Sequence, residues 1–154
     1  MRILDFLPGD SIIVSLNSTT KVDVLSELVE PILLSHPNLD KSELMKTLIE
    51  RERLGSTGLG GGVAIPHGKC EGLDRLAASF GRSGRGVDFN SMDGKPTYLF
   101  FLLLAPKNCA GEHLKALARI SRLFKDPLLT NSLKQAESAN QITKLMEEHD
   151  LRYP

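Results

Sequence analysis

The sequence predicts an α/β domain whose β-sheet is covered by helices on both faces. The main observation is the apolar run at residues 98–105, bracketed by Pro96 and Pro106. These eight residues suit a strand that is buried on both faces, which requires helices above and below the sheet. Helical spacing of apolar residues on both sides of this run is the second observation. The length fits one domain, residues 1–154.

The first part of the chain predicts one short strand and two helices. Residues 11–16 are rich in β-branched side chains, which is typical of a strand. Residues 22–33 place apolar side chains at helical spacing, and Pro31 predicts a kink or an early end of that helix. Asp40 is predicted to cap a second helix, with Arg51 in its last turn.

The second half of the chain predicts a further strand and three helices. Residues 76–80 have strand character, and a glycine-rich bend is predicted at residues 81–86. The first helix has one shared face formed by Leu114, Leu117, Ala118, Ser121 and Phe124. The second begins at Pro127, which suits a first helical turn, and the third begins with Ser138 and Gln141 as a capping box.

Residues 55–68 form a glycine-rich segment in which only residues 63–65 have strand character, ended by Pro66. The segment contains no lysine, which a phosphate loop requires after its glycines. A dinucleotide fingerprint also fails, because Val63 occupies the position of its third glycine. The segment follows a helix, whereas both motifs precede one. Nucleotide binding is therefore disfavoured.

Composition and charge exclude several functional classes. Nineteen basic residues balance nineteen acidic ones and tryptophan is absent, which argues against nucleic-acid binding. No apolar run reaches the roughly 18 residues of a membrane span, and no signal peptide is visible, so we expect no membrane insertion. Cys70 and Cys109 form no disulfide framework, which predicts a cytoplasmic protein. Residues 51–86 nevertheless carry six basic against three acidic side chains.

His67, followed by Gly68 at the end of a short predicted strand, is the first candidate catalytic residue. A neutral imidazole can attack phosphorus and hold the phosphoryl group as a phosphoramidate. Gly68 leaves the ring uncrowded, while Arg51, Ser56 and Thr57 offer donors for phosphoryl oxygens. The alternatives are a loop histidine without a role and, for Arg51, a solvated charge that the helix dipole favours.

His113 is the second candidate, in the first turn of the helix that follows Gly111. A helix N-terminus disfavours imidazolium, so a neutral His113 offers one N–H donor to the phosphoryl group or to a facing imidazole. The alternative is a partly buried histidine that caps the helix. A zinc site from His67, Glu112 and His113 is disfavoured because the spacing does not suit metal ligands. The spacing also gives Cys70 no reason to contact His67.

Two motifs identify a family resemblance. RERLGSTGLGGGVAIPHGK occupies residues 51–69, and LFFLLLAP at residues 99–106 is followed by EHLKAL at residues 112–117. Both resemble the IIA domains of the phosphoenolpyruvate-dependent phosphotransferase system, of the mannitol/fructose class. Within that class the chain is most similar to the nitrogen-regulatory branch. The resemblance covers nearly the whole chain and implies a mixed sheet flanked by helices.

The resemblance implies a phosphohistidine carrier without a cofactor. A small histidine phosphocarrier protein of the HPr or NPr type would phosphorylate His67 on Nε2, with His113 and Arg51 as the family's other active-site residues. In the nitrogen-regulatory branch the phosphorylation state controls binding to regulatory target proteins. The alternative is a sugar-specific IIA component that passes the group to a IIB domain. No IIB segment is recognised here, which favours regulation. A third alternative, a non-catalytic binding module, is disfavoured by the complete set of three site residues.

Overall fold

The computed structural model describes residues 1–154 as a mixed sheet of six strands between two layers of helices. The strands are β1 (Ile12–Ile13), β2 (Gly58–Gly60), β3 (Val63–Ala64), β4 (His67–Cys70), β5 (Ala77–Val87) and β6 (Thr97–Pro106). The helices are α1 (Lys21–Ser35), α2 (Lys41–Arg53), α3 (Ala110–Phe124), α4 (Pro127–Lys134) and α5 (Ala139–Arg152). The predicted fold class is confirmed.

Strand β6 is the centre of the sheet. One of its edges pairs antiparallel with β5, and β1 pairs parallel with the other edge of β5. The second edge of β6 pairs in parallel with β3 and, further along, with β4, while β2 lies antiparallel to β3. Every residue of β6 except Tyr98 is buried. The predicted doubly covered strand is therefore confirmed.

Successive side chains of β6 belong to two different cores because they point to opposite faces of the sheet. The core beneath α3, α4 and α5 takes Leu99, Phe101, Leu103 and Ala105, whereas the core beneath α1 and α2 takes Phe100, Leu102 and Leu104. A strand that contributes side chains to two such cores must be apolar at nearly every position, which explains the continuous apolar run. None of the five helices combines the length and the apolar character needed to cross a membrane.

Side-chain caps fix the helix starts that the sequence predicts. Asp40 accepts a hydrogen bond from Ser42 N–H at 3.0 Å, and Asp126 precedes Pro127 as the cap of α4. Ser138 accepts from Gln141 N–H at 3.1 Å. The predicted capping box is only half formed, however, because the Gln141 side chain accepts from Glu137 N–H instead of Ser138 N–H.

The first strand is shorter than predicted, and of the two effects predicted for Pro31, a kink or an early end of the helix, the early end does not occur. Of residues 11–16, β1 pairs with β5 and Leu16 N–H donates to Arg82 O at 2.8 Å, whereas Ser11 N–H donates to Pro8 O at 2.9 Å and closes a 3-10 turn. Helix α1 passes through Pro31 and continues to Ser35. The loss of one main-chain hydrogen bond there is tolerated because buried side chains on both sides of the proline pack into the core.

Residues 81–86 continue β5 and do not bend away as predicted. Gly81 pairs with Phe100 of β6, and the register shifts only beyond Arg82. A Cβ at Gly81 would lie 2.9 Å from side-chain carbons of both Leu16 and Leu28. The glycine therefore permits close approach of α1 to the sheet, which local sequence cannot distinguish from a turn signal.

The predicted face of α3 was wrong in part: Phe124 is buried and Leu117 packs against the core as expected, but Leu114, Ala118 and Ser121 are not buried. Leu114 is 70% exposed, and the buried side chains are His113, Ala116, Ile120, Leu123 and Phe124. The helix begins at Ala110, with Gly111 inside it. The buried stripe begins with a polar residue, His113. The pattern of apolar residues therefore predicted a face that is rotated around the helix from the face that is buried.

Candidate functional site

His67 occupies the first position of β4, and not the end of a strand as predicted. Strands β3 and β4 lie one after the other along the same edge of β6, separated by Ile65 and Pro66. Pro66 has no N–H to donate, but its carbonyl accepts from Leu103 N–H at 3.0 Å. Pairing with β6 therefore resumes at once, and the partly exposed His67 is held by the central strand.

The ring of His67 is held in one tautomer. Its Nδ1 lies 2.8 Å from Ile65 O, and because a carbonyl only accepts, Nδ1 carries the proton. The lone pair is then on Nε2. Burial lowers the pKa of His67, and the charge of Arg51 lowers it further, against the raising effects of the Ile65 hydrogen bond and Glu52. The ring is thus kept neutral and nucleophilic at Nε2.

His113 of α3 faces His67 across the site. The ring centroids are 5.7 Å apart, with an angle of 75° between the ring planes. The side chain is buried, and its Nε2 has no hydrogen-bond partner. Burial lowers the pKa of His113, and the nearby His67 and Lys69 lower it further. The structure thus places a neutral imidazole with an unused polar atom beside His67.

Arg51 lies in the last turn of α2, as predicted. Its Nη1 donates to Gly55 O at 2.9 Å, which leaves other guanidinium donors unused. Its charge is close enough to lower the pKa of His67. His67 and His113 face each other, and the lowering of the His67 pKa indicates that the charge of Arg51 acts on the same site.

The hydroxyl of Ser56 and both donors of Thr57 are used inside the protein. Ser56 Oγ donates to Phe89 O at 2.7 Å and accepts from Gly58 N–H at 3.0 Å. Thr57 donates both its N–H, at 3.1 Å, and its hydroxyl to the Glu52 carboxylate. These hydrogen bonds order the loop, and binding of a phosphoryl group by these two residues stays a prediction.

Gly68 is buried and has a packing role. A Cβ at this position would lie 2.9 Å from Cγ2 of Thr47 in α2. The absent side chain thus lets β4 approach α2. The atoms near this position belong to α2, so they indicate this packing role and not open space around the imidazole of His67. A contact of Gly68 with a phosphoryl group stays a prediction.

Glu52 is the residue that sequence reasoning missed. Its side chain is only 6% exposed, and its Oε1 lies 2.8 Å from Lys21 Nζ. It follows Arg51 in the last turn of α2, where the helix dipole disfavours an acidic side chain. That unfavourable position, between two arginines, was the available signal that the carboxylate has specific partners.

The residues around the two histidines form no metal centre. No three His, Cys, Asp or Glu side chains are grouped so as to hold a metal ion. The main clefts, of about 300 to 470 Å³, are lined by residues other than His67 and His113. A small-molecule substrate is normally enclosed in a cleft, so a partly exposed histidine outside these clefts suits a macromolecular partner better.

Known proteins are similar to this chain over nearly its full length. A nitrogen regulatory protein of Bradyrhizobium diazoefficiens is 40% identical over 146 residues, which is 95% of each chain. The fructose-specific EIIABC component of the PTS system of Bacillus subtilis is 34% identical over 150 residues. That match covers 97% of this chain but 24% of the relative, a longer protein.

Solved structures have the same fold. The nitrogen regulatory protein IIA-Ntr of Neisseria meningitidis has a TM-score of 0.88 and 34% identity, covering 94% of this chain and 98% of that one. The IIA mannitol structure of Escherichia coli has a TM-score of 0.73 and 22% identity, covering 90% and 96%. The mannitol-type IIA fold that the sequence predicts is confirmed.

The family is settled by a match over most of the chain. Residues 5–149 match the model of the phosphoenolpyruvate-dependent sugar phosphotransferase system, EIIA 2. This match covers the whole site and all the strands. The chain therefore belongs to the EIIA 2 family of the phosphotransferase system, whose domains carry phosphoryl groups between proteins.

Proposed function

We propose that Nε2 of His67 accepts a phosphoryl group from a histidine phosphocarrier protein of the HPr or NPr type. The observation that carries this proposal is the hydrogen bond from His67 Nδ1 to Ile65 O, which leaves the Nε2 lone pair free. Nε2 attacks the phosphorus of the donor's phosphohistidine. A new N–P bond forms as the donor's N–P bond breaks, and the donor's imidazole keeps the released electron pair. No cofactor is required.

Two neighbouring side chains have roles in this transfer. A phosphoryl group in transit spreads negative charge over its equatorial oxygens, and positioned donors stabilise that charge. The guanidinium of Arg51 supplies fixed positive charge beside His67. His113 supplies an N–H: a neutral imidazole carries one, and in the tautomer protonated at Nε2, an atom with no other partner, it is free to donate to a phosphoryl oxygen.

The chain acts in nitrogen or metabolic regulation under this proposal, with its phosphorylation state controlling the binding of regulatory target proteins. Similarity to a nitrogen regulatory protein over 95% of both chains supports this role. The free thiols of Cys70 and Cys109 suit the reducing cytoplasm in which such carriers would meet. The second candidate, a sugar-specific IIA that feeds a IIB domain, is favoured by the match to a fructose-specific component.

The test is phosphorylation with phosphoenolpyruvate, enzyme I and a phosphocarrier protein, followed by intact mass. We expect one acid-labile phosphoryl group on the wild-type chain and none on His67→Ala. His36→Ala, at the end of α1, is the matched control and should be labelled normally. An unchanged wild-type mass, with a donor shown to be phosphorylated, would leave only the binding-module alternative. Rapid transfer onward to a fructose-type IIB domain would favour the sugar-specific role.

A further inference from the structure

We propose that Glu52 is a positioning residue that orients His67 through Thr57 and the main chain of Ile65. This inference rests on the proposed phosphoryl transfer at His67. Glu52 touches neither the phosphoryl group nor the reacting nitrogen in this scheme. It acts by fixing the main chain that holds the ring.

The connection is an unbroken series of hydrogen bonds. The Glu52 carboxylate accepts from both the N–H and the hydroxyl of Thr57. Thr57 O accepts from Ile65 N–H at 3.0 Å, and Ile65 O accepts from His67 Nδ1 at 2.8 Å. Each acceptor belongs to a residue that is itself held by the preceding bond. A shift of Thr57 is therefore passed to the carbonyl that selects the tautomer of His67.

The surroundings of Glu52 fit a dedicated role. A buried carboxylate at a helix C-terminus costs free energy unless it is paired and hydrogen-bonded. Here Lys21 Nζ lies 2.8 Å away and is itself seated 4.6 Å from the centre of the Phe89 ring. The carboxylate is thus held between the start of α1 and the loop after α2. Arg51 and Glu52 are adjacent in the last turn of α2. Arg51 carries the positive charge and Glu52 positions the imidazole of His67, so this one turn fixes the two groups relative to each other.

Charge is a second route by which Glu52 acts on His67. Its carboxylate raises the pKa of His67, in opposition to Arg51 and to burial. Loss of the charge therefore lowers that pKa further. Loss of the Thr57 hydroxyl leaves the charge in place and changes only the positioning. The two effects are separable with two substitutions.

The experiment compares Glu52→Gln with Glu50→Gln, an exposed glutamate of the same helix. Side-chain ¹⁵N NMR of the unphosphorylated protein reports the His67 tautomer and its pKa. We expect Glu52→Gln to mix the two tautomers, to lower the pKa of His67 and to slow phosphoryl transfer about 10- to 100-fold. Glu50→Gln should match the wild type in all three measurements.

A second pair of variants separates position from charge. Thr57→Val removes the hydroxyl without changing charge, whereas Thr57→Ser keeps it. We expect the valine variant to mix the tautomers and slow transfer, and the serine variant to restore both. This pair also decides the proposal if Glu52→Gln fails to give a folded protein.

The proposal is overturned if Glu52→Gln and Thr57→Val transfer at the wild-type rate with His67 still protonated at Nδ1. Slow transfer with an unchanged tautomer contradicts it too, as does failure of Thr57→Ser to restore the rate. An unlabelled wild-type chain would instead refute the proposed function. The NMR measurements need no phosphoryl donor, so they keep the two failures distinct.

Discussion

A histidine can receive a phosphoryl group on either ring nitrogen, and one hydrogen bond decides which nitrogen His67 presents. With Nδ1 committed to Ile65 O, only Nε2 is left as a nucleophile. The residue types of this site were predictable, because the chemistry requires a histidine and a cation near it. The carbonyl that orients the ring was not, since main-chain acceptors leave no trace in a residue pattern.

His113→Ala should slow phosphoryl transfer to His67 without abolishing it. The substitution removes a donor for phosphoryl oxygens but leaves the nucleophile, and a decrease of about 10- to 100-fold is expected. Rapid-quench measurements of phosphoryl gain provide the rate. The transfer rate of His113→Gln, which keeps an N–H donor, should lie between the rates of the wild type and His113→Ala. Equal rates for wild type and His113→Ala would show that the unused Nε2 has no part in the transfer.

At the scale of elements, long periodic segments and the short strand β3 were predictable, whereas the short strands β2 and β4 were not. The apolar run of β6 and the capped starts of α2, α4 and α5 are local signals that tertiary structure reinforces. Strand β2, with two glycines among its three residues, has no strand propensity of its own. It exists because β3 offers a partner, and pairing of that kind is decided by residues far away in the sequence.

Gly68→Ala should destabilise the contact between β4 and α2. The added Cβ would meet Thr47 Cγ2 at 2.9 Å, so the free energy of unfolding should fall by about 1–3 kcal/mol. Gly84→Ala in β5 is the matched control, because a Cβ there meets nothing within 4 Å. Urea denaturation measures both. Adding Thr47→Ser to Gly68→Ala removes the clashing methyl group and should recover part of the loss. Equal stabilities of the two alanine variants would refute this packing role.

At the scale of the whole molecule, α5 ties the beginning of the chain to the helical layer. Asp150 accepts from Ile3 N–H at 2.9 Å and lies 3.3 Å from the Arg119 guanidinium of α3. The preceding His149 is buried, and its Nε2 has no partner. Neither residue was identified from the sequence, because a polar helix end is normally solvated. Asp150 contacts residues 3 and 119, and the ring centroid of His149 lies 4.9 Å from that of Tyr153.

Stability should fall as the pH falls below about 6.5, the ordinary pKa of histidine. Burial lowers the pKa of His67, His113 and His149, so the unfolded chain takes up protons first. The loss of stability begins at the pKa that histidine has in the unfolded chain, and it levels off below the lowered pKa values of these histidines in the folded protein. Main-chain N–H groups lower the pKa of Asp93, so this carboxylate affects the stability only below about pH 3.8, its ordinary pKa. Urea denaturation between pH 8 and 5 measures the slope.

His149→Phe is the variant that tests the contribution of the buried histidine far from the site. It removes one of the groups that titrate, so the decrease in stability between pH 8 and 5 should become smaller. The free energies of unfolding at pH 8, where the imidazoles are neutral, provide the reference. A slope identical to that of the wild type would show that protonation of His149 is not linked to unfolding.

The parallel pairing of β4 with β6 also sets the order in which the molecule can assemble. Strands β5 and β6 are sequential and antiparallel, so they close a short loop and form a hairpin early. β4 reaches β6 only across the whole of β5, at a higher entropic cost of loop closure. The two histidines meet after both β4 and α3 have docked on β6. Chemical competence thus depends on a non-local pairing, and a chain in which β4 has not docked presents no aligned nucleophile to a phosphoryl donor.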